Sequence, residues 1–157
     1  MEILLVCSGN ILRSPLAEGY LRKVLDEIGV QDISLSSAGT LGIEGSPADA
    51  GAVKLALERG FDIQKHRSRG VTPRLLSRAD LILVMEREHL EAIEEMDAST
   101  AARARMIREF ETDEPRGDVE DLADPIGAGR KALVECFEIL ERCILNLAFR
   151  LKYRRGP

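Results

Sequence analysis

Residues 79–85, ADLILVM, restrict the fold of this chain more than any other stretch: five consecutive apolar positions follow Asp80 with no polar alternation. Such a run suits a strand covered on both faces, as in a buried parallel sheet. EILLVC (2–7) has the same character, DISLSSAGT (32–40) reads as a strand running into the Gly-rich GTLGIEGSP, and ARMIREF (104–110) reads as a fourth. Helical periods fill the gaps. From Ser14 onward Leu16, Ala17, Tyr20, Leu21, Val24, Leu25 and Ile28 share one face, with Ser14 as predicted N-cap, Pro15 as first helical residue and Gly29 as the stop. A second helix is predicted from Pro47 to Arg59, stopped by Gly60; a short one opens at Pro73, and a polar one covers 86–96. Residues 130–153 carry Leu133, Phe137, Leu140, Ile144, Leu147 and Leu151 at helical spacing. The stretch 111–129 has no period and is crowded with acids. Four strands interleaved with helices predict a doubly wound α/β sandwich with right-handed crossovers, where ligands bind beyond the carboxyl ends of the strands.

The 157 residues suffice for one domain over 1–157, and no repeat or linker divides them. A composition 45% hydrophobic and 31% charged argues against disorder, and a net charge of −5 argues against nucleic acid as a partner. The apolar run in MEILLVC is too short for a signal peptide or a membrane span, and Cys7, Cys136 and Cys143 have no disulfide-framework spacing. A cytoplasmic protein in a reducing compartment is expected, with no membrane partner. No cluster has metal-ligand spacing, so neither a metal nor another cofactor is expected. Cys136 and Cys143 read as small buried apolar residues of the last helix, and His89 as exposed on a charged one. The basic tail RLKYRRGP (150–157) favours the dipole of that last helix.

Chemistry concentrates in LLVCSGNILRSP (4–15), where a strand ends on a thiol just before a helix opens at an arginine. SGNILR (8–13) can curl so that several backbone N–H groups face one hollow, because Gly9 takes positive φ easily and Asn10 tolerates it. The helix start adds its positive end. Such a hollow holds phosphate or another tetrahedral oxyanion and stabilises a neighbouring thiolate. Arg13 can fork two N–H bonds to phosphoryl oxygens, bonds that strengthen in the transition state, while Cys7 attacks. A phosphocysteine route also needs a carboxyl group as acid and then base, and 111–129 offers Asp113, Asp118, Asp121 and Asp124. The residues alone leave these four nearly tied, although Pro125 restrains the backbone beside Asp124.

CSGNILRSP resembles the Cys-x5-Arg-Ser phosphate loop of the low-molecular-weight protein-tyrosine phosphatases. The resemblance continues through SAGT (37–40), HRSR (66–69), ADLILVME (79–86) and DP (124–125). It implies a four-stranded parallel sheet flanked by helices, a three-layer, flavodoxin-like α/β/α sandwich. It implies metal-independent hydrolysis of a phosphorylated protein through a phosphocysteine intermediate, with inorganic phosphate and other oxyanions as inhibitors. Carried onto this sequence, Cys7 is the nucleophile, Ser8, Gly9, Asn10, Ile11, Leu12, Arg13 and Ser14 form the phosphate loop, and Asp124 is the acid and base. Ser14 is expected to hydrogen-bond the Cys7 sulfur, and Ser37 and His66 to hold Asn10 in its strained conformation. From its context in QKHRSR, the bland alternative for His66 is a surface residue.

Three positions depart from the family pattern. Leu12 stands where many relatives carry a second cysteine, so no vicinal disulfide can shield Cys7 from overoxidation. Ile126 and Leu41-Gly42-Ile43 stand where tyrosine-specific members carry aromatic walls. Aliphatic walls forfeit stacking worth about 0.5–1.5 kcal/mol. At residue 11, phosphoarginine-hydrolysing relatives have Thr, whereas GD…DP-x-G (Gly117, Asp118, Asp124, Pro125, Gly127) resembles theirs. Ile11 lines the loop and the glycine is remote, so phosphotyrosine is the expected substrate and phosphoarginine the alternative. Thiol arsenate reductases share the sheet and loop but need relay cysteines around the 80s, and LILVMEREHLE has none. A phosphopeptide binder without turnover would have no use for Asp124.

Overall fold

The structure, a computed structural model, describes residues 1–113 and 117–153. Its elements run β1 (Glu2–Cys7), α1 (Arg13–Glu27), β2 (Ser34–Gly39), α2 (Ala50–Glu58), α3 (Pro73–Arg78), β3 (Leu81–Val84), α4 (Arg87–Met96), β4 (Ala104–Met106) and α5 (Gly129–Tyr153). The four strands form one parallel sheet in the order β2-β1-β3-β4. β1 pairs with β2 from Glu2 opposite Ser34 to Cys7 opposite Gly39, and β3 lies on its other side with Ile3 opposite Leu81. The winding therefore reverses at β1, and the crevice beyond the carboxyl ends of β1 and β3 is where such sheets bind ligands. Cys7 ends β1 at that crevice.

Alternation along β1 explains why its run is apolar throughout. Ile3, Leu5 and Cys7 face a core shared with α1, α2 and α5, whereas Leu4 and Val6 face one shared with α3 and α4. Helices thus cover both faces, giving three layers. The first core includes Leu16, Leu21, Leu55, Phe137 and Ile144, and the rings of Tyr20, Phe61 and Phe137 meet there at centroid distances of 5.2–5.9 Å. Each fully buried aliphatic or phenyl side chain of this kind stabilises the fold by roughly 1.5–3 kcal/mol. Cys136 and Cys143 lie buried on the inner face of α5, and burial pushes each thiol up to about 12. Among the described residues no helix is long and apolar enough to cross a membrane.

Three boundaries differ from the sequence expectation, each for a local reason. α1 begins at Arg13, with Leu12 at the N-cap position, because the Ser14 hydroxyl turns inward to Asn10 and Cys7 instead of capping. α2 begins at Ala50, capped by Asp49 accepting from the Ala52 N–H at 3.0 Å, while Pro47 pairs with Arg67 in an isolated β-bridge. β4 stops at Met106, the partner of Val84 at the end of β3, and Ile107 then turns into the larger core within a 3-10 turn. Residues 114–116 of the acidic segment and residues 154–157 of the basic tail lie outside the described residues.

Candidate active site

The loop that follows Cys7 turns on Asn10, which at φ 55° is the non-glycine residue in the left-handed region among the described residues. Of the two residues able to take positive φ in this loop, Gly9 does not and Asn10 does. The reversal falls where a short polar side chain can anchor itself. Asn10 is fully buried, and its amide is saturated. Nδ2 donates to Ser14 Oγ at 2.9 Å and to Ser37 Oγ at 3.0 Å, and Oδ1 accepts from the Arg69 N–H at 3.0 Å. His66 Nε2–H donates to the Asn10 carbonyl at 2.6 Å. Gly39 passes close beneath the loop: a Cβ there would meet the Ser8 carbonyl oxygen at 2.5 Å and Asn10 N at 3.0 Å. Just beyond it, the N–H groups of Thr40 and Leu41 donate to the carbonyls of Cys7 and Ser8, each at 3.0 Å.

These bonds have a fixed direction. An amide NH2 only donates, so Ser37 Oγ accepts from Asn10 and passes its own hydrogen to Glu18 Oε2 at 2.7 Å. Ser14 Oγ likewise accepts from Asn10 and keeps its own hydrogen, which can donate to Cys7 Sγ, 3.0 Å away, when the sulfur is a thiolate. The scaffold therefore aims a hydroxyl donor at the sulfur.

Arg13 is 1% exposed, and four partners surround its guanidinium. Nη1 donates to the Glu86 carboxylate and to the Leu122 carbonyl at 2.7 Å; Nη2 donates to Asp124 Oδ2 at 3.2 Å and to Ser8 Oγ at 3.4 Å. A buried cation without such partners would be strongly destabilising. Glu86 was not singled out from the sequence. Its signal is position, two residues beyond the carboxyl end of β3.

Of the four candidate acids, only Asp124 reaches Arg13 among the described contacts. Leu122 is buried and its N–H donates to the Met85 carbonyl at 2.8 Å, pinning the segment beside β3. Asp121 is exposed and accepts from the Arg87 N–H at 2.8 Å, at the start of α4. Asp118 and Asp113 pair at the surface with Arg87 and Arg150. Asp124 Oδ1 accepts from the Ile126 N–H at 3.1 Å, which sets the carboxyl plane.

Cys7, Ser8, Arg13 and Asp124 share a cavity of about 160 Å³ walled by Ile11, Leu12, Leu41, Ile43 and Ile126. The walls are aliphatic, and Leu41 and Ile126 are 68% and 48% exposed, so they form a rim. A larger hollow of about 360 Å³ lies beyond Leu12 and Ile126, toward Lys54 and Arg130, but no thiol lines it.

His89 departs furthest from expectation. It is fully buried on the inward face of α4, four residues before the equally buried Ile93, and that spacing was the available signal. Nδ1 accepts from the Glu86 N–H at 3.0 Å, so Nε2 carries the hydrogen and donates to Ser8 Oγ at 2.8 Å. Burial, helped by the Arg13 charge, lowers its pKa to about 4, and the ring is neutral at pH 7. Glu86, Glu88 and His89 also form a cluster of metal-ligand type, but both ring nitrogens and Glu86 are already engaged.

A thiol and a buried guanidinium share one strand-to-helix turn at the switch point of a parallel sheet, an arrangement of an α/β protein that can accommodate a tetrahedral oxyanion beside sulfur. The chain belongs to the family of low molecular weight phosphotyrosine protein phosphatases, whose sequence model matches residues 2–155. It is 36% identical over 140 residues to the probable low molecular weight protein-tyrosine-phosphatase EpsP of Ralstonia nicotianae, covering 89% of this chain and 88% of that one. The YwlE arginine phosphatase, solved as a cysteine-to-serine mutant with a phosphorylated active-site serine, superposes with a TM-score of 0.90 at 28% identity, covering 99% and 98% of the two chains. Wzb of Vibrio vulnificus in complex with benzylphosphonate gives a TM-score of 0.83 at 30% identity, covering 95% and 97%. The protein is accordingly a cysteine-dependent hydrolase of the protein-tyrosine phosphatase class.

Proposed function

We propose that Cys7 is the nucleophile, that Arg13 and the loop N–H groups hold the phosphoryl group, and that Asp124 is the general acid and then the base. The observation that carries this reading is convergence: the Cys7 sulfur with its Ser14 donor at 3.0 Å, the Arg13 fork and the Asp124 carboxyl all meet at one cavity of about 160 Å³. In the first step the thiolate attacks phosphorus, an S–P bond forms, and the P–O bond to the leaving group breaks as Asp124 protonates the departing oxygen. In the second, Asp124 takes a proton from water while the water oxygen attacks phosphorus. The S–P bond breaks, its electrons return to sulfur, and the Ser14 hydroxyl stabilises the thiolate that forms. An incoming phosphoryl group competes with Asp124 for Arg13 Nη2, which releases the carboxyl for proton transfer.

Phosphotyrosine on a protein is the favoured substrate, supported by Ile11 in the cavity wall, where an aliphatic side chain offers no hydrogen-bond partner to a guanidinium. The likeness to an arginine phosphatase supports phosphoarginine as the second reading. Inorganic phosphate and related oxyanions act as competitive inhibitors on this reading. One sheet with a core on either face supports a single domain over 1–157, and three free cysteines suit a cytoplasmic setting. Steady-state phosphate release from matched phosphotyrosine and phosphoarginine peptides, with Cys7→Ser and Asp124→Asn as controls, tests the reading. Preference for phosphotyrosine is expected. Preference for phosphoarginine would replace the substrate and leave the chemistry standing.

A further inference from the structure

The Ser8 hydroxyl has two acceptor sites and one hydrogen. His89 Nε2–H fills the first site at 2.8 Å, and Arg13 Nη2–H approaches the second at 3.4 Å. The bond to His89 cannot reverse, because the Glu86 backbone N–H holds Nδ1 as an acceptor at 3.0 Å and the buried ring stays neutral. The Ser8 hydrogen meets no acceptor among the described residues, yet Ser8 lines the cavity with Cys7, Arg13 and Asp124. On the phosphatase reading above, we infer that His89 is a positioning residue that locks Ser8 as an obligate donor, and that the Ser8 O–H binds a non-bridging phosphoryl oxygen as the reaction proceeds. Ser8 thereby adds a side-chain donor to the backbone N–H groups and Arg13, and its aim is set from α4, the far side of the crevice.

The test is a double-mutant cycle on the intact chain. Phosphate release from para-nitrophenyl phosphate is measured for wild type, Ser8→Ala, His89→Leu and the double variant, with vanadate inhibition as a second readout. Ser8→Ala is expected to lower kcat/KM about tenfold, the size of one hydrogen bond to a charged group. His89→Leu lowers it by a similar factor in the wild-type background but by less than about twofold when Ser8 is already Ala. Vanadate affinity follows the same non-additive pattern. His89→Gln, whose side-chain N–H can still donate toward Ser8, recovers most of the loss. Wild-type kcat/KM and vanadate affinity in Ser8→Ala would overturn the inference, as would an undiminished effect of His89→Leu in the Ser8→Ala background. Should His89→Leu fail to fold, Ser8→Ala with its vanadate constant still decides. Cys7→Ser, assayed alongside, keeps the two readings apart: turnover at the wild-type rate in that variant would overturn the phosphatase reading instead, a result that none of these ratios can mimic.

Discussion

Replacing Asn10 by Ala removes the side chain that holds the loop after Cys7 in shape. Three hydrogen bonds disappear: two buried ones donated by Nδ2 to Ser14 and Ser37, and a part-buried one accepted by Oδ1 from the Arg69 N–H. The two hydroxyls can rotate toward other partners, so each loss is about 1 kcal/mol, but the stranded backbone N–H adds roughly 1–3 kcal/mol. Ala is also disfavoured at φ 55°, where a Cβ crowds the following carbonyl by about 1 kcal/mol. The total comes to roughly 4–6 kcal/mol, a large part of the 5–15 kcal/mol that holds an ordinary domain together. Asn10→Gly suffers the same polar losses but escapes the backbone strain, and should be about 1 kcal/mol milder. Equilibrium urea unfolding at neutral pH measures both, provided the slope with denaturant is unchanged. A loss below about 1.5 kcal/mol for Ala, or a Gly variant no better than Ala, would refute the assignment of loop shape to the Asn10 amide.

Other perturbations follow from the same geometry. The His89 pKa falls from 6.5 to about 4 on folding, so between those values the unfolded chain binds the extra proton and stability drops as pH falls. The contribution is intact above 6.5 and diminishes by about 3 kcal/mol by pH 4; unfolding of His89→Gln across that range should lack this component, and identical profiles would contradict it. Gly39→Ala places a methyl 2.5 Å from the Ser8 carbonyl oxygen, so the loop must shift. It should lower kcat/KM by about tenfold or more even where the chain stays folded, as small misplacements of a site do; wild-type kinetics would show that the loop yields freely. Glu86→Gln leaves the buried Arg13 with Asp124 as its remaining carboxylate partner and should destabilise by roughly 3 kcal/mol, read as a fall in the urea midpoint.

The layered sheet was legible because its signals were redundant. ADLILVM and EILLVC are apolar on both faces because helices cover both faces, and the helices between them carry their own periods. The Cys7 loop was legible for a similar reason, since thiol, Gly, Asn, Arg and Pro each fit one strand-to-helix turn. What escaped was set by tertiary contact. Ser14 looked like a helix cap, but its hydroxyl is recruited by Asn10 and Cys7. Local sequence allowed positive φ at either Gly9 or Asn10, and a network spanning residues 10, 37 and 69 fixes it at Asn10. Asp121 is an exposed acid that also meets the first N–H of α4, and no local pattern shows that α4 begins within its reach. His89, set among charges, was masked by its neighbours, and only its spacing to Ile93 placed it on the inner face. The strand at 104–110 was overextended because its apolar residues serve both the sheet and the turn into the larger core.

The central claim is that phosphate passes through a covalent bond to Cys7. Rapid acid quench of the wild-type protein during turnover of a phosphotyrosine peptide, followed by mass spectrometry of its fragments, tests this most directly. One phosphoryl group should be found on the peptide containing Cys7, formed within a single turnover, absent from Cys7→Ser and longer-lived in Asp124→Asn. Phosphate release from the wild type with no phosphoryl group on Cys7 at any quench time, or with the group on another residue, would contradict the account.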